Sequence, residues 1–292
     1  MLTRRDTLWG MGGLSLTLGA CGQAGSALSQ HQSERKLLKI PQLLSGKKNG
    51  AYTEYNLKIQ NGTSTFFEGR PTSTIGVNQA YLGPTLKMDV GSTVRINVNN
   101  TLQEDTTLHW HGFHVPAKYD GTPHQTIKPG GTWTAQFEVR QKPSLFWYHS
   151  HAHKQAGPQV YRVDDLPLIV QDRLFGNNGE LVYARSMHDI MMGMQGDTLL
   201  VNGGIDPVFE CKTELLRLRL LNGSNSRIYD FQFADRQSFL TTGSDGGHLE
   251  SALEMSKLRL SPGERAEILV DMRHAEPKQM IATPTSDGMG MM

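Results

Sequence analysis

Two histidine pairs in this sequence have the spacing of metal ligands: His109 and His111 in Leu108-His109-Trp110-His111-Gly112, and His149 and His151 in Trp147-Tyr148-His149-Ser150-His151. Neutral imidazole suits copper, zinc and iron, and at equal geometry the divalent affinity order favours copper over zinc. Alternate side chains of a strand share one face, so each pair presents both rings on one side of its strand. Where a Greek key makes the two strands neighbours, the imidazoles of His109, His111, His149 and His151 converge on one small volume. One His-x-His pair by itself reads as surface or hydrogen-bonded histidines. Two pairs flanked by Trp110, Trp147 and Tyr148 read as a metal site.

The remaining donors are weaker. His153 shares the parity of His149 and His151, but the chain is expected to leave the strand there. His114 points away from His111 by alternation and His124 lies in a turn, so both are expected at the surface. Cys211, between Glu210 and Lys212, has no histidine close in sequence. A blue (type 1) copper site needs a thiolate with two histidines, so Cys211 is expected to serve as a small buried hydrophobe. The methionines of Met187–Met194 and Met289–Met292 either offer soft thioethers to cuprous ion or fill core gaps and a tail.

Strands must carry these residues. Tyr52–Gln60, Thr93–Asn99, Thr107–Val115, Thr132–Val139 and Ser144–His151 are rich in β-branched and aromatic residues, and turn clusters such as Asn61-Gly62, Asp120-Gly121-Thr122-Pro123 and Pro129-Gly130-Gly131 punctuate them. A second series lies around the Gly176-Asn177-Asn178-Gly179 turn: Leu166–Val170 before it, then Thr198–Asn202, Leu215–Leu221, Tyr229–Phe233, Ser238–Thr242, Lys257–Leu260 and Ala266–Asp271 after it. The pattern predicts an all-β protein of two Greek-key β-sandwiches, without a long amphipathic helix. The length of 292 residues agrees with about two domains. Lys and Arg (29) nearly cancel Asp and Glu (28), leaving no basic field for a phosphate backbone, so no nucleic-acid partner is expected.

Residues 1–30 read as an export signal. Arg4-Arg5 precedes a weakly polar stretch, Leu8 to Ala20, too short for a stable membrane anchor. The twin arginine is similar to signals of the Tat exporter, which delivers folded proteins to the periplasm. Leu18-Gly19-Ala20-Cys21 has the form of a lipobox, leaving two routes open: a lipid anchor on Cys21, or a plain cut near Ala27. Either leaves Cys211 as the one cysteine of the mature chain, so no internal disulfide framework is expected.

Taken together, Thr107-Leu108-His109-Trp110-His111-Gly112, Val115-Pro116, Asp120-Gly121, Pro129-Gly130-Gly131 and Trp147-Tyr148-His149-Ser150-His151 resemble the first cupredoxin domain of the three-domain multicopper oxidases. The nearest branch is the bacterial periplasmic cuprous oxidases and laccases of copper resistance. Leu216-Arg217-Leu218-Arg219-Leu220-Leu221-Asn222-Gly223 and Pro262-Gly263-Glu264-Arg265 resemble the second domain. The resemblance implies cupredoxin-like domains over 35–163 and 164–292. It implies that His109 ligates a type 2 copper, that His111, His149 and His151 ligate the type 3 pair, and that Asp120 is the catalytic acid supplying protons near the cluster. Dioxygen and cuprous ion or a small phenolic reductant are the implied partners.

Two departures from the family pattern qualify that implication. The family's third domain, with four more cluster ligands and the type 1 site, is not found by Met292, so the expectation is a truncated, half-built copper site needing a complementing chain. Tyr161-Arg162 also runs almost directly into Val163-Asp164-Asp165-Leu166, as if the strand closing the first domain were deleted; Leu166–Val170 either fills that place or opens the second domain. A copper-binding or scaffold fragment without turnover is the alternative to an oxidase.

Overall fold

The computed structural model describes residues 12–18, 36–151, 167–183, 186–211, 215–273 and 277–285. Strand β1 (Gly12–Leu18) precedes a first sandwich made of β2 (Leu43–Leu44), β3 (Lys47–Asn49), β4 (Tyr52–Phe67), β5 (Arg70–Val77), β6 (Thr85–Leu86), β7 (Thr93–Asn100), β8 (His109–His111), β9 (Thr132–Glu138) and β10 (Trp147–His149). Strand alternation is clear in β7: Val94, Ile96 and Val98 are fully buried, whereas Arg95, Asn97 and Asn99 are partly exposed. The main sheet runs β3-β4-β7-β9, with β5 folded back on β4. Strands β8 and β10 form a separate antiparallel pair.

The second sandwich holds β11 (Pro167–Arg173), helix α1 (Met187–Met192), β12 (Thr198–Val201), β13 (Val208–Cys211), β14 (Leu215–Asn222), β15 (Tyr229–Phe233), β16 (Phe239–Ser244), β17 (Gly247–Met255), β18 (Lys257–Leu260), β19 (Arg265–Asp271) and β20 (Lys278–Pro284). A six-stranded sheet, β12-β11-β14-β19-β16-β17, and a five-stranded sheet, β13-β1-β20-β15-β18, enclose a core containing Val170, Leu220, Phe231, Phe233, Ile268 and Val270. The chain is therefore all-β, with two cupredoxin-like sandwiches.

Strand β11 resolves the ambiguity at Leu166–Val170. It pairs with β12 and, in parallel, with β14, so it belongs to the second sandwich. Every residue of β11 is buried because its two faces serve two cores. Leu168 and Val170 enter the second core, while Ile169 joins Leu221 in the first.

The other differences from the sequence reading have local causes. Asn61-Gly62 is not a turn: β4 continues because Asn61 pairs with Ile75 and Gly62 with Thr74, the reversal coming between Phe67 and Arg70. The expected strands Thr107–Val115 and Ser144–His151 contract to three residues each, the former closed by the Phe113 N–H donating to the Trp110 carbonyl. Gly12–Leu18 is not separate from the fold, since as β1 it lies between β13 and β20 and covers edges that both would otherwise leave open. Arg4-Arg5, Cys21, the segment 152–166 with its expected deletion and the 163/164 boundary, His153 and Met289–Met292 lie outside the described residues.

Candidate metal centre

Register places the imidazoles. In the β8–β10 pair His149 lies opposite His109, Tyr148 opposite Trp110, and Trp147 opposite His111. Alternation turns Trp110 and Tyr148 into the first core and sends His109, His111 and His149 to the other face, where Trp147 lies between these rings and the rim of the same core. One possible ligand atom from each of His109, His111 and His149 lies within 4.8 Å of the others. Trp147 packs against two of the rings, stacked on His111 with centroids 4.7 Å apart and tilted against His149 at 4.3 Å.

His151 arrives by another route. Strand β10 ends at His149, so strand parity no longer governs His151. Its main-chain N–H donates to Thr107 Oγ1 at 2.7 Å, which sets its ring 5.4 Å from that of His109 and 6.0 Å from that of His149, between centroids. It flanks the tight trio.

Hydrogen bonds fix which nitrogens face inward. His109 Nδ1 donates to the Asp120 carbonyl at 2.7 Å and lies 3.2 Å from Asp120 Oδ1, leaving Nε2 with its lone pair. His149 Nδ1 donates to the Ser150 carbonyl at 2.8 Å, so its Nε2 is an acceptor, and His111 Nδ1 lies 3.2 Å from it. Burial, reinforced by Arg265 and by the His109 and His151 rings, pushes the pKa of His111 down to about 4. Burial, opposed by the Ser150 carbonyl, pushes that of His149 down to about 3. Both rings are therefore neutral at pH 7, the form that ligates metals.

Asp120 is delivered by the core. Trp110 Nε1 donates to the carbonyl of Tyr119, the last residue of a 3₁₀ turn (Ala117–Tyr119), and Asp120 caps that turn. Gly121 follows with φ +70°, where a Cβ would lie 1.8 Å from the Leu108 carbonyl oxygen; only glycine lets the turn sit this close to β8. The Asp120 side chain remains 27% exposed.

His114 and His124 are exposed, as expected. Cys211 is buried at the end of β13 in the second core, apart from the imidazole group. Sequence reasoning treated Arg265 only as a family marker. No spacing signal connects it to the site, yet its cation faces His111.

Two cupredoxin-like sandwiches with a converging imidazole trio on one strand pair define a protein of the cupredoxin class with a group that could hold a metal ion. The multicopper oxidase family model matches residues 58–163. A curated relative, multicopper oxidase mco of Staphylococcus aureus, is 39% identical over 257 residues, covering 80% of this chain and 57% of the relative. The cell division protein FtsP of Sodalis glossinidius is 34% identical over 278 residues, covering 87% of this chain and 57% of that protein. Among solved structures, a laccase from Pediococcus acidilactici aligns with TM-score 0.79 and 31% identity over 89% of this chain and 64% of its own. The laccase-like multicopper oxidase CueO of Ochrobactrum sp. aligns with TM-score 0.74 and 30% identity, over 87% and 65%. The chain belongs to the multicopper oxidase family, and spans 57% of the length of each of these two curated relatives.

Proposed function

We propose that this chain carries one half of the oxygen-reducing copper site of an oxidase that couples one-electron oxidation of cuprous ion or a small phenol to reduction of dioxygen to water. The observation that carries the reading is the approach of His109, His111 and His149 donor atoms to within 4.8 Å. Imidazole nitrogens are a donor set that copper prefers, so the residues fit the metal. His109 belongs to the type 2 position, and His111, His149 and His151 to the type 3 pair. The type 1 site and the remaining ligands are assigned to a further domain, in the same or a complementing chain.

Bound copper supplies the electron transfer and the reduction of dioxygen. The protein's part is to hold ligands and move protons. Trp147 packs against His111 and His149 and limits the room in which their rings can turn. Converting one dioxygen to two waters takes four electrons and four protons, and the role of proton relay goes to Asp120, whose partly exposed carboxylate lies 3.2 Å from His109 Nδ1. The Arg4-Arg5 leader supports Tat export to the periplasm, with Cys21 as the point of lipid attachment if the lipobox is cut, and a role in copper tolerance.

Anaerobic copper loading of the full chain, with metal analysis, visible absorption and dioxygen uptake on adding cuprous ion, tests the reading. Tight copper without a blue band or oxygen uptake supports a half-site. A blue band with oxygen uptake contradicts the assignment of the type 1 site elsewhere. The similarity to FtsP favours a second reading, a scaffold without turnover, which gains if no copper is retained.

A further inference from the structure

We infer that Arg265, in the second sandwich, is a positioning residue for the metal ligands of the first; the inference rests on the copper reading above. Arg265 opens β19, and its side chain is only 5% exposed. Its Nε donates to the Leu145 carbonyl at 3.4 Å and its Nη1 to the Gly263 carbonyl at 3.1 Å. Its Nη2 donates to the Asp245 carbonyl, and the Asp245 carboxylate pairs with Nη1 at 2.9 Å while accepting the Arg265 main-chain N–H at 2.8 Å. A buried cation needs this many acceptors, and only the planar five-donor fork of arginine reaches carbonyls on both sides of a domain junction.

The fork sits where it controls the ligands. Leu145 and Phe146 lead directly into Trp147 of β10, and the guanidinium carbon lies 6.0 Å from the Phe146 ring centroid. On the facing strand Gly112 follows His111 with φ +80°, and a Cβ there would stand 3.1 Å from Arg265 Nη2, so the guanidinium lies against the main chain that carries His111. The preceding turn closes the same wall: a Cβ at Gly263 would be 3.6 Å from His111 Cε1 and 3.5 Å from Trp147 Cζ2. That turn is itself fixed, Gly263 N–H donating to the Asn222 carbonyl and Ser261 N–H to Glu264 Oε2. Arg265 thus braces the register pair His111–Trp147 from the second sandwich, and the ring of His111 takes its place from a sandwich other than its own.

The test uses the full chain loaded with one equivalent of cupric ion, comparing the unsubstituted protein with Arg265→Lys and Asp245→Asn. Asp245 is 49% exposed, so the second variant keeps the fold even if the first does not. Copper affinity is read by chelator competition and ligand geometry by the electron paramagnetic resonance spectrum. The inference predicts altered copper hyperfine splitting and binding weakened by about tenfold for Arg265→Lys, with a smaller change of the same kind for Asp245→Asn. A lower thermal midpoint with affinity and spectrum unchanged in the folded variants assigns Arg265 a structural role only and overturns the inference. If Arg265→Lys does not fold, an unchanged Asp245→Asn spectrum overturns it. No copper on the unsubstituted chain overturns the proposed function and this inference with it.

Discussion

His111 Nδ1 faces His149 Nε2 across 3.2 Å, while the other nitrogen of His149 is committed to the Ser150 carbonyl. Two ring nitrogens this close form an edge that a cation could take. Both rings titrate well below an exposed histidine, at about 4 and about 3. An unfolded histidine titrates near 6.5, so between those values the unfolded chain binds more protons than the folded one. The stability this contributes is complete above about pH 6.5 and is lost as pH falls toward 4. Thermal melts of the metal-free chain should show a midpoint lower by on the order of 5 °C at pH 4.5 than at pH 7, and His149→Gln should flatten the dependence.

Asp120 acts on His109 through its main-chain carbonyl and its carboxylate, and substitution removes only the second. Asp120→Ala is therefore expected to leave the fold intact and to weaken copper by about tenfold, the low end for outer-shell partners. Chelator competition at pH 7 measures it.

Trp147 packs between the imidazoles and the first core, and its indole nitrogen is buried without a hydrogen-bond partner. Trp147→Ala should destabilise the chain by about 3–5 kcal/mol and release both His111 and His149. Denaturant melts followed by circular dichroism give the first effect; copper stoichiometry gives the second.

The imidazole group was legible because period-two alternation needs no knowledge of the fold: once β8 and β10 pair, His109, His111 and His149 must share a face. His151 fell to the same argument by accident, since its strand ends two residues earlier and Thr107 positions it instead. Strands lacking that alternation escaped notice. Strand β17 lies largely exposed, and β5 contains Pro71 and Gly76, which dilute a strand signal. Arg265 was invisible as a site residue because a tertiary contact joins it to Leu145, far away in sequence.

Ile169 ties the sandwiches together from a strand of the second into the core of the first. Ile169→Ala should cost about 2–5 kcal/mol. Because Trp110, Trp133 and Trp147 all lie in the first sandwich, tryptophan fluorescence should report the shift although the residue belongs to the second sheet.

Cys211 is buried in the second core, apart from the imidazoles. It should resist thiol reagents until the chain unfolds, and Cys211→Ala should leave the copper spectrum unchanged. A changed spectrum would place a thiolate on the metal.

The central claim is that His109, His111 and His149 bind copper together. Pulsed electron paramagnetic resonance on the chain with one equivalent of cupric ion counts the imidazoles on the metal, in the unsubstituted protein and in His109→Ala, His111→Ala and His149→Ala. The account predicts three imidazoles in the unsubstituted chain, with one lost in each variant. Copper bound with the same spectrum in all four proteins would contradict it.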